Sequence, residues 1–190
     1  MAECKISCQC GTLTGVLHDV SPKSGSRAIC YCKDCQAFAR YLGSAELLEE
    51  SGGTDIYQTL PSKVTFETGQ EHLACLRLSP KGLLRWYASC CDTPLGNTLS
   101  SPRVRMVGVL TKCISDPEAL GPVQAMVNTS GASGEPVEET GRRQVIFAFL
   151  KRQIGAMLRR DHQTPFFDTS GALVVTPKVL TKEERQAATP

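Results

Sequence analysis

The chain has 190 residues, 41% of them apolar and 21% charged, the balance of a globular protein with its own core. A net charge of +2 is too small to argue for a nucleic-acid partner, and no apolar run approaches the roughly 20 residues that cross a bilayer. The unusual feature is ten cysteines, at 4, 8, 10, 30, 32, 35, 75, 90, 91 and 113. The sequence opens Met1-Ala2-Glu3-Cys4, without a basic and then apolar leader, so a cytoplasmic, reducing location is expected. In that setting C-x-C and C-x-x-C spacings point to metal ligation rather than disulfides.

In chain order, residues 4–17 (CKISCQCGTLTGVL) predict two short strands meeting near Gly11. Residues 20–26, rich in Ser, Pro and Gly, predict a loop. A third strand is expected over 27–31, then a short helix over 34–42 with Asp34 near its N-terminus, where a carboxylate complements the helix dipole. Beyond the turn at Ser51-Gly52-Gly53 come DIYQTL, KVTFETG, HLACLRLSP, LLRWYAS and VRMVGVLTKCI, strands of antiparallel sheets. Pro61-Ser62, Thr68-Gly69 and Pro80-Lys81-Gly82 mark turns among them.

Residues 128–141 (NTSGASGEPVEETG) read as a flexible loop or linker. Residues 142–160 predict the best helix of the chain: Val145, Ile146, Phe149, Leu150, Ile154, Met157 and Leu158 make one apolar face. Lys151, Arg152 and Arg159 project from the other side. They are expected to be the solvated outer surface of a helix packed over the sheet, the alternative being a surface for membranes or acidic partners. Residues 164–180 predict a docked extension with one strand, Ala172 to Val175. The expected organisation is a zinc-binding β domain over 1–127, a loop over 128–141, and a C-terminal helix and tail over 142–190.

Cys8 and Cys10 are spaced i, i+2, which puts both side chains on one face of a strand, and Gly11 lets the backbone turn away. Two ligands do not close a tetrahedron. Cys90 and Cys91 are the expected partners in a four-thiolate structural zinc site, although neighbouring side chains diverge and one of the two is a candidate bystander. Cys30, Cys32 and Cys35 join the strand spacing to a C-x-x-C turn, whose two sulfurs converge on one zinc at about 2.3 Å. These three fill three corners of a tetrahedron. Catalytic zinc sites keep three protein ligands and an open position, whereas structural sites are closed. Two alternatives stand: a fourth ligand from Cys75, Cys113, His18 or His72, or one zinc served by all seven cysteines. Cys4, Cys75 and Cys113 otherwise read as packing residues.

Cys8-Gln9-Cys10-Gly11, Cys30-Tyr31-Cys32-Lys33-Asp34-Cys35 and Tyr87-Ala88-Ser89-Cys90-Cys91-Asp92-Thr93-Pro94-Leu95 together resemble the glutathione-dependent formaldehyde-activating enzyme family, which includes centromere protein V. The resemblance covers residues 4–110. It departs from the family pattern in the third motif, where Asp92 takes the place of a glycine and Ala88 that of the first cysteine. The resemblance implies a β-tent fold: mainly β, small antiparallel sheets around a structural zinc, here with an added C-terminal helix. It also implies a catalytic zinc on Cys30, Cys32 and Cys35, with glutathione as a co-substrate. The activity implied is a carbon–sulfur lyase or synthase acting on a small thiol–aldehyde adduct of the S-hydroxymethylglutathione type. The rival expectations are a non-enzymatic zinc-stabilised binding module and a thiol-based redox sensor that releases zinc on oxidation.

Overall fold

A computed structural model describes residues 2–190. The order is β1 (Ala2–Ser7), β2 (Thr14–Val20), β3 (Ser26–Cys30), α1 (Lys33–Tyr41), β4 (Thr54–Thr59), β5 (Val64–Thr68), β6 (Leu73–Arg77) and β7 (Leu84–Ala88). There follow β8 (Thr93–Thr98), β9 (Val107–Leu110), β10 (Ala125–Val127), α2 (Arg142–Leu158), β11 (Lys178–Val179) and α3 (Lys182–Ala188). The fold is mixed but mostly strands, in two sheets, with a C-terminal helix. The smaller sheet runs β1-β2-β5 and is antiparallel; the larger runs β10-β3-β4-β9-β8-β7-β6-β11. Its inner six strands are antiparallel, and a short parallel strand closes each edge.

The inner faces of both sheets meet in one core around Trp86, Leu84, Tyr57, Leu13, Leu17 and Ile6, each at most 2% exposed. Phe166 reaches this core from the C-terminal segment, its ring 4.7 Å from that of Trp86 and edge-on to Phe66. A second cluster lies on the opposite face of the large sheet, where Ala37 and Phe38 of α1 meet Leu76, Leu78, Leu180 and Ala188. β7 is therefore covered on both sides: Leu84 and Trp86 face the main core, and Tyr87 packs against the second cluster.

β8 has the composition of a turn, Thr-Pro-Leu-Gly-Asn-Thr, yet it pairs as a strand with all six residues buried. Pro94 has no N–H to give to a ladder, and the register of β7 with β8 shifts at Trp86/Tyr87, beside the Tyr87–Pro94 pair. Gly96 is needed because a Cβ there would lie 2.4 Å from the carbonyl oxygen of Gly108 on β9.

Two expectations are corrected. Residues 172–175 are not a strand: Leu173 makes a single bridge to Phe167, and the paired strand of the tail is β11 on the edge of β6. The helix over 142–160 forms, but its apolar face does not pack over the sheet. Ile146, Leu150, Ile154, Met157 and Leu158 are exposed, Val145 and Phe149 are half-buried, and Ala156 is the buried residue of α2. Arg152 turns inward instead, where its guanidinium donates to Ser26 Oγ and Gln58 Oε1 at 3.0 Å each.

Candidate metal centres

The β1–β2 connection carries Cys8 and Cys10. Cys8 N–H donates to Leu13 O and Gly11 N–H to Cys8 O, both at 3.0 Å, and Gly11 sits at φ 76°. The β7–β8 turn brings Cys90 and Cys91 against it, tied by Gln9 N–H donating to Thr93 Oγ1 at 3.0 Å. Asp92, the departure noted at the glycine position, lies at φ 52°, the left-handed region that glycine fills freely and Asp tolerates. Sulfurs about 2.3 Å from a zinc ion in a tetrahedron lie about 3.8 Å from one another. Here Cys8–Cys10 is 3.5 Å, Cys8–Cys90 3.8 Å, Cys10–Cys90 3.4 Å and Cys90–Cys91 3.9 Å. All four sulfurs lie within 4.8 Å of one another, so neither Cys90 nor Cys91 stands apart. The Thr12 hydroxyl and backbone N–H hold the Cys10 thiol down to about 6, while desolvation and the neighbouring thiols push Cys90 up to about 12.

Cys30 ends β3, Cys32 is the N-cap of α1, and Cys35 lies in its first turn. Cys35 N–H donates to Cys32 Sγ at 3.4 Å, so the sulfur does the work of a capping oxygen at the positive end of the helix. The three sulfurs lie within 4.8 Å of one another, and among the described residues no other His, Cys, Asp or Glu joins them. They do not merge with the first four. Each cluster is able to hold a metal ion such as zinc.

Two side chains that the sequence reading did not assign complete the surroundings. Arg85, on β7, is 3% exposed; its Nη1 donates to Cys35 Sγ at 3.4 Å, and its guanidinium lies 5.7 Å from the Phe38 ring centre. Asn128 adopts φ 56°, a conformation asparagine enters more readily than most residues, and its Nδ2 donates to Cys30 Sγ at 3.3 Å. Arg142 Nη2 donates to Asn128 Oδ1 at 2.9 Å, which orients the amide. Gln36, fully buried, locks this loop by donating from Nε2 to Tyr31 O at 3.0 Å and Gly131 O at 2.7 Å. Gly131 is required there: a Cβ would meet Tyr31 O at 2.3 Å.

Three adjacent thiols cannot ionise independently. Cys35 is held well below the usual thiol range by its hydrogen bonds with Cys30 and Cys32 and by the Arg85 charge. Cys32 is pushed far up by its hydrogen bonds with Cys30 and Cys35 and by burial. Arg85 pays the desolvation cost of a buried cation, which the Cys35 thiolate offsets.

The remaining candidates lie elsewhere. Cys4, Cys75 and Cys113 are buried in the main core. His18 pairs with Glu3 and Thr65, His72 lies 3.7 Å from Glu71, and His162 meets Arg105.

No curated protein matches the sequence. Among solved structures the chain is similar to a crystal structure of a Rhodobacter sphaeroides protein, a Northeast Structural Genomics target. The identity is 20%, covering 63% of this chain and 96% of that one, with a TM-score of 0.42. Residues 2–142, well over half of the chain and the part that contains both cysteine clusters, match one family throughout; the chain belongs to the family of unknown function designated DUF6151.

Proposed function

We propose that this is a two-zinc protein. In this reading Cys8, Cys10, Cys90 and Cys91 hold a closed structural ion, and Cys30, Cys32 and Cys35 hold a second ion with one position open to a ligand. The open site works on the carbon–sulfur bond of a small thiol–aldehyde adduct, of the S-hydroxymethylglutathione type. In the forward direction the thiol S–H adds across the aldehyde C=O: an S–C bond forms and the thiol proton passes to oxygen. The reverse is a lyase step with the same balance.

The observation that carries the reading is the buried Arg85 beside a cluster of three sulfurs that no fourth His, Cys, Asp or Glu joins among the described residues. A divalent ion with three thiolates carries one formal negative charge, and Arg85 returns the sum to zero. A buried cation that loses its partner costs several kcal/mol, so Arg85 fits a cluster held negative. Zinc bound there would supply the charge that lowers the pKa of a neighbouring thiol or polarises a carbonyl oxygen. The chain's part is to hold that centre. The α1 N-terminus, Arg85 and Asn128 each direct an N–H at a sulfur, fixing its orientation and tempering its charge. Soft sulfur donors suit a soft thiol ligand. The same reading takes residues 1–127 as the zinc domain, with 128–141 as a loop and 142–190 as an addition, working in a reducing cytoplasm.

The test is exchange between formaldehyde, glutathione and their adduct, followed by NMR with the zinc-loaded chain. Faster exchange, lost in Cys32→Ser, is expected. A wild-type chain that carries two zinc ions and leaves the exchange rate unchanged would remove the catalytic reading.

A further inference from the structure

The side of α2 turned to solvent is not an ordinary helix surface. Ile146, Phe147, Leu150, Ile154, Met157 and Leu158 are between 50 and 79% exposed. At 3.6 residues per turn they occupy an arc of about 120°. A contiguous patch of six large apolar side chains marks an interaction surface, whereas singly scattered ones do not.

The charge around the patch identifies its partner. Arg143 falls inside the arc and Lys151 on its margin, with Arg142, Arg159 and Arg160 at the ends. Residues 142–160 contain six cationic side chains and no Asp or Glu. Arg152 is turned inward and Arg142 is paired with Glu139; the other four are exposed. Met157 also lines a cleft of about 900 Å³ at the C-terminal end of α2, where Arg103, Arg105, Arg160 and His162 converge. The acid in that cleft, Asp168, is taken up by Ser170 N–H, Ser170 Oγ and Ala172 N–H. Nearby Asp161 accepts from Ser62 Oγ. The apolar patch thus runs without a break into a cationic surface.

We propose that this face of α2 lies on an anionic lipid surface, with the apolar side chains at the acyl boundary and the cations among the headgroups. An interfacial helix combines these two features in this way. A second copy of the chain fits less well, because it would bring the same cations against these and no acid of the helix to answer them. The helix does not span: no helix of the described residues is long and apolar enough to cross a membrane.

The experiment is co-sedimentation of the full, zinc-loaded chain with phosphatidylcholine vesicles made with and without phosphatidylserine. Binding is expected with phosphatidylserine and should fall as salt rises. Arg143→Glu combined with Lys151→Glu should lower the partition coefficient at least about tenfold, and Phe147→Glu with Leu150→Glu should abolish binding. All four side chains are exposed, so zinc content and circular dichroism should stay as in the wild type. Absence of binding to phosphatidylserine vesicles would overturn the proposal. So would equal binding to neutral vesicles, or a concentration-dependent dimer that Phe147→Glu dissolves.

Discussion

Arg85 Nη1 lies 3.4 Å from Cys35 Sγ in a site where the arginine is 3% exposed. The pair joins two elements: a strand of the large sheet, β7, supplies the cation, and the helix laid across it, α1, supplies the sulfur. Arg85→Met should weaken zinc binding by Cys30, Cys32 and Cys35 about 10–100-fold, as removal of a ligand's outer partner does. Arg85→Lys, which keeps the charge but not the guanidinium reach, should recover part of the loss. Competition with a chromophoric chelator measures both, and the ion held by Cys8, Cys10, Cys90 and Cys91 should be unaffected.

The two clusters should differ in what they do for the fold. Cys8 ties the tip of the small sheet to the β7–β8 turn of the large one. Cys8→Ser should cost more than about 3 kcal/mol, a fraction of the roughly 10–16 kcal/mol a structural zinc supplies. Cys32→Ser should lose one zinc with a small change in Tm. Thermal unfolding of the two variants, with zinc content measured alongside, checks this. Wholesale unfolding of Cys32→Ser would make the three-cysteine cluster a structural site.

Burial pushes the thiols of Cys75 and Cys113 up to about 12. At pH 8 only about one in ten thousand of either is thiolate, the form that reacts. Iodoacetamide on the native protein should therefore spare both, as peptide mass mapping would show, and label them only after unfolding. The sign for stability follows: their raised values favour the folded state fully below the ordinary thiol range and progressively less as pH rises from about 9 towards 12.

Trp86 is the one tryptophan of the chain, and Phe166 covers it from the C-terminal segment. Phe166→Ala should destabilise by about 3–5 kcal/mol, the range for a buried aromatic truncated in a core. It should also shift Trp86 fluorescence to the red. An unchanged spectrum would mean that the tail does not seat against the core.

Much of this was legible in the sequence because the signals were local. The strands around Gly11, the strand ending at Cys30 and the helix after Cys32 announce themselves by alternation, spacing and capping. Cys8, Cys10, Cys90 and Cys91 could be grouped from the need to fill a tetrahedron. What escaped depended on tertiary cover. Arg85, between Leu84 and Trp86, reads as the solvent side of a strand until α1 covers that face. Asn128 sits in a polar stretch whose composition gives no hint that it returns to Cys30. α3 carries a readable signal of its own, the Thr181-x-x-Glu184 capping box. For α2 the periodicity gave the helix correctly, but periodicity identifies an apolar face without saying what covers it.

The two cysteine clusters are proposed as separate zinc sites, one closed and one open. Elemental analysis of zinc per folded chain, purified under reducing conditions without chelator, tests this most directly when the wild type is compared with Cys32→Ser. Two equivalents falling to one, with the fold kept, is the predicted result. One equivalent in both proteins, not raised by added zinc, would mean that the three sulfurs beside Arg85 are not a zinc site.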